Sequence, residues 1–177
     1  MRDKKEIRAA VRSRLREVTA GERMLRSNNI TEQLLSLNEL QPARVVALFV
    51  SLPDEPDTAL LLKELSSRCR VVVPRIEGDK MEFYDYAERA LCSGSYGILE
   101  PMQGEPVAPH DIDIMIVPGV AFTLDGLRMG RGKGFYDKYM SREGFRALKI
   151  GICLAPQLLD RLPCEPHDIK MDIIIQA

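Results

Sequence analysis

Apolar residues recur at helical spacing along the first part of the chain. The first set, separated by four, four and three residues, is Ile7, Val11, Leu15 and Val18. Asp3 with Glu6 and Thr19 with Glu22 each have the spacing of a capping box, which predicts a helix start at both places. We therefore predict two amphipathic helices. The apolar positions of the second are Leu25, Ile30, Leu34 and Leu37.

After Pro42 the pattern changes to short, nearly continuous apolar runs that are typical of buried strands. The predicted strands are Arg44–Ser51, Arg70–Pro74, Met81–Tyr86, Ile112–Val117, Leu148–Leu154 and Asp172–Gln176. Helical patterns begin at Asp57 or Thr58 and run to Leu65, and another covers Gly132–Arg142. Residues 87–109 are rich in Gly, Pro and Ser, which predicts a long irregular connection.

Strands that alternate with helices predict an α/β fold. The 177 residues are expected to form a single domain, 1–177, built as a three-layer α/β/α sandwich with a largely parallel open sheet. In such sheets, ligands bind beyond the carboxyl ends of the strands. This rule selects the loops that follow Val50, Val73 and Val117.

Charge and composition exclude several classes of function. The chain has 25 basic and 26 acidic residues, a net charge of −1, and this balance argues against a nucleic-acid partner. It contains no apolar run near the roughly 20 residues of a membrane span, and its basic beginning lacks the apolar segment of a secretion signal. We therefore expect no membrane partner and a cytoplasmic location. Four cysteines without a C-x-x-C pair, and only two histidines, argue against zinc and predict reduced, mostly buried thiols.

One loop contains a cluster of positive charges, although the net charge of the whole chain is close to zero. Within residues 118–137, Arg128, Arg131 and Lys133 lie among the glycines at positions 126, 130, 132 and 134. The loop follows a buried strand and leads to a helix, so backbone N–H groups and cations could cradle a phosphate. It does not match a Walker A motif, because Gly134 stands where Ser or Thr is required, and Phe135 breaks the G-x-G-x-x-G pattern. A flexible loop with solvated cations is the alternative.

The first predicted helix carries a second cationic set, Lys4, Arg8 and Arg12, at intervals of four residues. Such a stripe is typical of a solvated helix face. It could also line the site of an anionic ligand.

The glycine loop carries a specific resemblance. RMGRGKGFYDKY resembles the signature of the 5-formyltetrahydrofolate cyclo-ligase family, with Met129 and Phe135 in place of the usual Leu and Tyr. Three further blocks resemble that family in the same order, so the resemblance covers residues 4 to 172. They are KKEIR with Lys4 and Arg8, FVSLPDEPDT with Glu55 and Thr58, and LPCEPHDIKMD with Asp168.

This resemblance implies a NagB/RpiA/CoA-transferase-like fold and a monomeric enzyme. It also implies the ATP- and Mg²⁺-dependent conversion of 5-formyltetrahydrofolate into 5,10-methenyltetrahydrofolate, with release of ADP and phosphate. The formyl oxygen would first be phosphorylated, because an amide-like formyl oxygen is a poor leaving group. The protein would mainly position the reactants and neutralise charge.

The resemblance also implies residue roles. Arg128, Arg131 and Lys133 would be catalytic. The implied ATP-binding residues are Lys4, Arg8, Arg128, Met129, Gly130, Arg131, Gly132, Lys133, Gly134, Phe135 and Tyr136. The implied folate-binding residues are Val50, Glu55, Arg131, Lys133 and Phe135, and the implied magnesium ligands are Asp137 and Asp168. Pro74, Arg75 and Tyr96 also resemble family positions near the pocket.

Two other functions remain open on the sequence. A sugar-phosphate isomerase or CoA-transferase-like enzyme would bind phosphate esters without ATP or magnesium, since glycine loops serve several chemistries. A non-enzymatic nucleotide- or RNA-binding module would use the basic first helix and the loop, although balanced charge and few aromatic residues argue against it.

Overall fold

A computed structural model describes residues 3–94, 97 and 99–177 of the chain. The helices are α1 (Lys4–Arg16), α2 (Ala20–Leu35), α3 (Ala59–Ser66) and α4 (Phe135–Met140). The strands are β1 (Val45–Ala47), β2 (Arg70–Glu77), β3 (Lys80–Asp85), β4 (Leu91–Ser93), β5 (Leu99–Pro101), β6 (Ile114–Val117), β7 (Ala121–Phe122), β8 (Arg128–Met129), β9 (Leu148–Cys153) and β10 (Ile173–Gln176).

Six of these strands form one open sheet in the order β10-β9-β6-β1-β2-β3. Five run parallel, and β3 pairs antiparallel with β2 at one edge. The predicted α/β class and largely parallel sheet are therefore confirmed. Because β1 lies between β6 and β2, the loops after β1, β2 and β6 emerge side by side at one end of the sheet.

The sheet is buried on both faces because successive side chains of a strand point to opposite sides. In β6, Ile114 and Ile116 pack into the core beneath α1, α2 and α3, whereas Met115 and Val117 pack into a second core on the other face. That second core contains Tyr139 and Met140 of α4 together with side chains from connecting segments. The continuous apolar runs of the sequence thus reflect a three-layer arrangement.

Both capping boxes form at the predicted helix starts. The Glu22 carboxylate accepts the backbone N–H of Thr19 at 2.9 Å, and the Thr19 hydroxyl accepts the backbone N–H of Glu22 at 3.2 Å. At the start of α1, the Glu6 carboxylate likewise accepts the backbone N–H of Asp3, at 3.3 Å. The predicted apolar face of α2 is wrong at Leu25, whose side chain is 71% exposed.

Two short hairpins were not predicted. Residues 87–109 contain the antiparallel pair β4–β5, and the glycine loop contains the pair β7–β8 before its helix begins. Strands of two or three residues are too short to show a period-2 pattern in the sequence. The last helix is also shorter than predicted, because Gly134 adopts a left-handed conformation at its N-cap with φ of 70°.

The hairpin β7–β8 is held close to the sheet by Phe122. An added Cβ would lie 2.6 Å from this aromatic ring at Gly119, and also 2.6 Å from it at Gly151 of β9. Side chains larger than hydrogen at either position would displace the ring. The glycines therefore let the hairpin approach the centre of the sheet.

The thiol prediction is only partly confirmed. All four cysteines are free, but only Cys153 is buried, Cys69 is half-buried, and Cys92 and Cys164 are exposed. Burial raises the pKa of the Cys153 thiol to about 12, which keeps it protonated and unreactive at neutral pH. Among the described residues, no helix is both long and apolar enough to cross a bilayer.

The loop between β1 and α3 is fixed by the buried Thr58. Its hydroxyl donates to the Phe49 carbonyl at 2.8 Å and accepts the Ser51 N–H at 3.1 Å. The Ser51 hydroxyl in turn accepts the Thr58 N–H at 3.2 Å. These bonds close the loop that carries Glu55.

We expect Thr58→Val to lower the free energy of unfolding by about 2–3 kcal/mol, because two buried backbone groups lose their partner without a change in side-chain shape. Thr31→Val is the matched control. Thr31 is equally buried, but its hydroxyl donates to the Ser27 carbonyl inside α2, a group with its own helical bond, so the cost should be below about 1 kcal/mol. Urea denaturation of both variants measures the difference, and equal losses would contradict this role for Thr58.

Candidate active site

A cavity of about 1070 Å³ opens at the end of the sheet where the loops after β1, β2 and β6 emerge. Val50, Pro74 and Pro118 lie on its wall, so the three loops selected from the sequence meet at this cavity. All fifteen sequence-predicted site residues also line it. They are Lys4, Arg8, Val50, Glu55, Arg128, Met129, Gly130, Arg131, Gly132, Lys133, Gly134, Phe135, Tyr136, Asp137 and Asp168.

Arg131 connects the glycine loop to the loop after β1. Its guanidinium binds both carboxylate oxygens of Asp54, at 2.5 and 3.2 Å. It also donates from Nε and from a terminal nitrogen to Oε1 of Glu55, at 3.4 and 3.0 Å. One exposed cation thus holds two carboxylates that are distant from it in sequence.

The two carboxylates bound by Arg131 differ in their surroundings. Glu55 is buried, and burial raises its pKa despite the Leu52 N–H, which donates to Oε2 at 2.9 Å, and the nearby arginine. Asp54 is also partly desolvated, but the hydrogen bonds and charge of Arg131 outweigh this effect and lower its pKa. The same guanidinium therefore outweighs the desolvation of Asp54 but not that of the buried Glu55.

Helix α1 delivers two cations to the same cavity. Lys4 makes ion pairs with Glu165 at 2.8 Å and Asp168 at 3.4 Å, and Glu165 and Asp168 raise its pKa. Arg8 donates from Nε to the Gly130 carbonyl at 2.9 Å, so it contacts the glycine loop directly. The part of the predicted stripe formed by Lys4 and Arg8 therefore faces the cavity.

Arg128 differs from its two neighbouring cations. Its side chain is only 3% exposed, and its terminal nitrogens donate to the Asp137 carboxylate at 2.6 Å and the Pro118 carbonyl at 3.2 Å. Its guanidinium lies 5.6 Å from the centre of the Tyr136 ring. Its Nε is buried and has no hydrogen-bond partner among the described residues. Arg128 therefore acts first on the protein, by fixing Asp137 and the start of the loop.

The two expected magnesium ligands approach each other through the backbone. Asp137 accepts the N–H of Ile169 at 3.3 Å, and Ile169 follows Asp168 directly in the chain. Within the described residues no group of three or more His, Cys, Asp or Glu side chains is placed to hold a metal. Mg²⁺ is often bound by one or two carboxylates together with substrate phosphates, so this pair fits such an ion only when a phosphate completes the site.

An apolar and aromatic region borders the charged groups. Phe49, Val50, Ile76 and Met81 line it together with the two aromatic residues at the start of α4, Phe135 and Tyr136. The Tyr136 ring packs edge-on against Phe83 at 6.5 Å, and burial raises the pKa of its hydroxyl, which therefore stays protonated. This wall can hold a flat aromatic ligand next to the Glu55 carboxylate.

Sequence reasoning missed three acids at this site. Asp54 and Glu165 are neighbours of predicted residues within the PDEPD and CEPHD segments, so a search for partners of the loop cations could have found them. Glu100 is buried on the cavity wall and accepts the Ile76 N–H at 3.2 Å, and no sequence motif marks it. Thr58 is structural and does not line the cavity, and Tyr96 lies outside the described residues.

The opposite pKa shifts of Glu55 and Asp54 predict opposite effects of pH on stability. Because the folded-state pKa of Glu55 is raised, the stability of wild type relative to Glu55→Gln should fall as pH rises from about 4.3 through that pKa. Because the pKa of Asp54 is lowered, the stability of wild type relative to Asp54→Asn should fall as pH drops from about 3.9. Denaturation of the three proteins across this range measures both slopes, and slopes of equal sign would refute the assignment.

Comparison with known proteins agrees with the sequence signature. The model of the 5-formyltetrahydrofolate cyclo-ligase family matches residues 1–177. The chain is 28% identical to the 5-formyltetrahydrofolate cyclo-ligase of Mus musculus, over 97% of this chain and 92% of the mouse protein. It is 27% identical to that of Escherichia coli, over 93% of this chain and 95% of the bacterial protein.

Two solved structures that are similar to this chain carry the name 5,10-methenyltetrahydrofolate synthetase. The 5,10-methenyltetrahydrofolate synthetase of Aquifex aeolicus superposes with a TM-score of 0.88 and 34% identity, covering 98% of this chain and 89% of that one. The enzyme of the same name from Mycoplasma pneumoniae gives a TM-score of 0.80 at 25% identity, with 98% of both chains covered. The chain therefore belongs to the 5-formyltetrahydrofolate cyclo-ligase family.

Proposed function

We propose that this enzyme converts 5-formyltetrahydrofolate into 5,10-methenyltetrahydrofolate with hydrolysis of ATP to ADP and phosphate. One observation carries the proposal beyond family membership. A single cavity holds the cationic glycine loop, the two α1 cations and the buried Glu55 with its aromatic wall. Its volume of about 1070 Å³ is at the upper end for a single small-molecule site, which favours two reactants bound together.

The triphosphate would lie along the glycine loop. Arg131 and Lys133 are exposed on this loop, and Lys4 and Arg8 reach the same cavity from α1. Backbone N–H groups of residues 130–134 add uncharged donors, and Met129, Phe135 and Tyr136 flank them. Arg128 would act mainly by holding Asp137, since its terminal nitrogens already have protein partners.

Asp137 and Asp168 would hold Mg²⁺ together with the phosphates. A bound Mg²⁺ supplies positive charge that neutralises the phosphate oxygens during transfer. In the ligand-free protein these carboxylates are paired with Arg128 and Lys4. Because the Lys4–Asp168 pair is only partly buried, phosphates and a cation can replace it without stranding a charge in the core. The Arg128 side chain is buried, so it would stay paired with Asp137 and orient that carboxylate towards the ion.

The pterin ring would lie between the aromatic wall and Glu55. A carboxylate facing the ring N–H and amino groups forms charge-assisted hydrogen bonds that fix the orientation of the ring. Val50 and Phe135 would contact its faces, and Arg131 and Lys133 would direct the formyl oxygen towards the γ-phosphate. The chain thereby contributes position and charge rather than a covalent group.

The chemistry of the substrate explains the need for ATP. The formyl oxygen attacks the γ-phosphorus and ADP leaves, which gives an N5-iminium phosphate. N10 then attacks the activated carbon and loses its proton, and phosphate departs with the former formyl oxygen. Arg131 and Lys133 would stabilise the negative charge that develops on the phosphoryl group. A monomeric state and a cytoplasmic location stay predictions.

The activity predicts a direct assay. Incubation with 5-formyltetrahydrofolate, ATP and Mg²⁺ should generate the near-ultraviolet absorbance of the methenyl product, and omission of ATP should abolish it. Folded protein that gives no product would refute the proposal. Binding of sugar phosphates or RNA at physiological salt, with no product formed, would favour the two alternative functions instead.

Lys133→Ala should reduce turnover at least about a hundredfold, because a cation at the transferring phosphate stabilises charge that develops in the transition state. Folding should be unaffected, since Lys133 is exposed. Lys63→Ala, an exposed lysine of α3 outside the cavity, is the matched control and should retain full activity. Equal turnover in the two variants would remove Lys133 from the mechanism.

A further inference from the structure

We propose that Asp54 is a positioning residue, which holds Arg131 against the folate side of the cavity. When a triphosphate binds, Arg131 leaves Asp54 and pairs with the phosphates. This inference rests on the proposed function for the identity of the two ligands. It goes beyond that function because Asp54 would contact neither ligand. Its effect would pass through the guanidinium of Arg131.

Arg131 contacts the two carboxylates with different geometry in the resting protein. Asp54 makes a two-pronged pair with Arg131, whereas Glu55 offers that arginine a single oxygen. A two-pronged pair fixes both the position and the plane of a guanidinium. Asp54 therefore determines where Arg131 rests, and the side chains of both are more than a third exposed, so the arginine can leave without breaking the core.

The pterin and Arg131 compete for the carboxylate of Glu55. Its Oε2 accepts the Leu52 N–H, and its Oε1 accepts both nitrogens of Arg131. A pterin that binds Glu55 must therefore share or take the oxygen that Arg131 occupies. A triphosphate on the glycine loop attracts the same arginine in the other direction. Both ligands thus favour the state in which Arg131 has left the two carboxylates.

The binding of the two ligands is thermodynamically linked through Arg131. When two ligands favour the same state of a protein, each raises the affinity for the other by an equal factor. Triphosphate should therefore tighten folate binding, and folate should tighten triphosphate binding. Asp54 opposes that state, so its removal should tighten triphosphate binding and reduce the mutual enhancement. A carboxylate that held the metal of the phosphates would have the opposite effect.

The test measures binding of inorganic tripolyphosphate to the full chain by calorimetry. Asp54→Asn should bind about two- to fivefold more tightly than wild type, the range expected for loss of an exposed ion pair. Asp54→Ser should change the affinity in the same direction. Asp57→Asn is the matched control, because Asp57 lies in the same loop and its carboxylate accepts the Ala59 N–H, a bond that asparagine can also make.

Steady-state kinetics supply the second readout. Asp54→Asn should lower the KM for ATP about two- to fivefold and leave kcat within about twofold, since the resting contact is absent once ATP is bound. Unchanged or weaker tripolyphosphate binding in both Asp54 variants would overturn the inference, as would a raised KM. The phosphate titration needs no folate, so a wild-type protein that lacks cyclo-ligase activity would refute the proposed function while leaving this test intact.

Discussion

The site depends on one electrostatic constraint, which is that cations gathered at one end of a sheet repel each other unless carboxylates compensate them. The structure meets this constraint with acids from distant parts of the chain. Arg128 pairs with Asp137, Lys4 with Asp168, and Arg131 with the loop after β1. These pairs also draw the chain ends and the central loops together around one cavity. Charge compensation and active-site assembly are thus the same set of contacts.

Much of the fold followed from the sequence because its signals are local. The capping boxes marked the starts of α1 and α2, and the apolar runs marked every strand of the main sheet. The hairpin strands β7 and β8 were not predicted, because a strand of two residues is too short to show an alternating apolar and polar pattern. Leu25 lies at a helical apolar position but is exposed, since periodicity does not show whether a neighbouring element covers that turn.

The site was predicted as a set of residues but not as a set of contacts. The glycine signature placed Arg128 and Arg131 three residues apart and gave no reason to separate them. Burial separates them, because the Arg128 side chain is buried with its terminal nitrogens bound to Pro118 and Asp137, while that of Arg131 is partly exposed. The partner of Arg131 at Asp54 is 77 residues away, and sequence spacing holds no information on such a pair.

The ring of Phe122 is enclosed by Gly119 and Gly151, so substitutions at these three positions are coupled. A side chain at Gly119 requires a smaller residue at 122, and one at Gly151 requires in addition a shift of the Ile174 side chain, which lies 2.8 Å from the added Cβ. In related enzymes a residue larger than glycine at 119 or 151 should therefore occur only together with a smaller residue at 122. Packing at the centre of the sheet thereby restricts how far the sequence of the glycine loop can diverge. None of the three residues belongs to the signature RMGRGKGFYDKY.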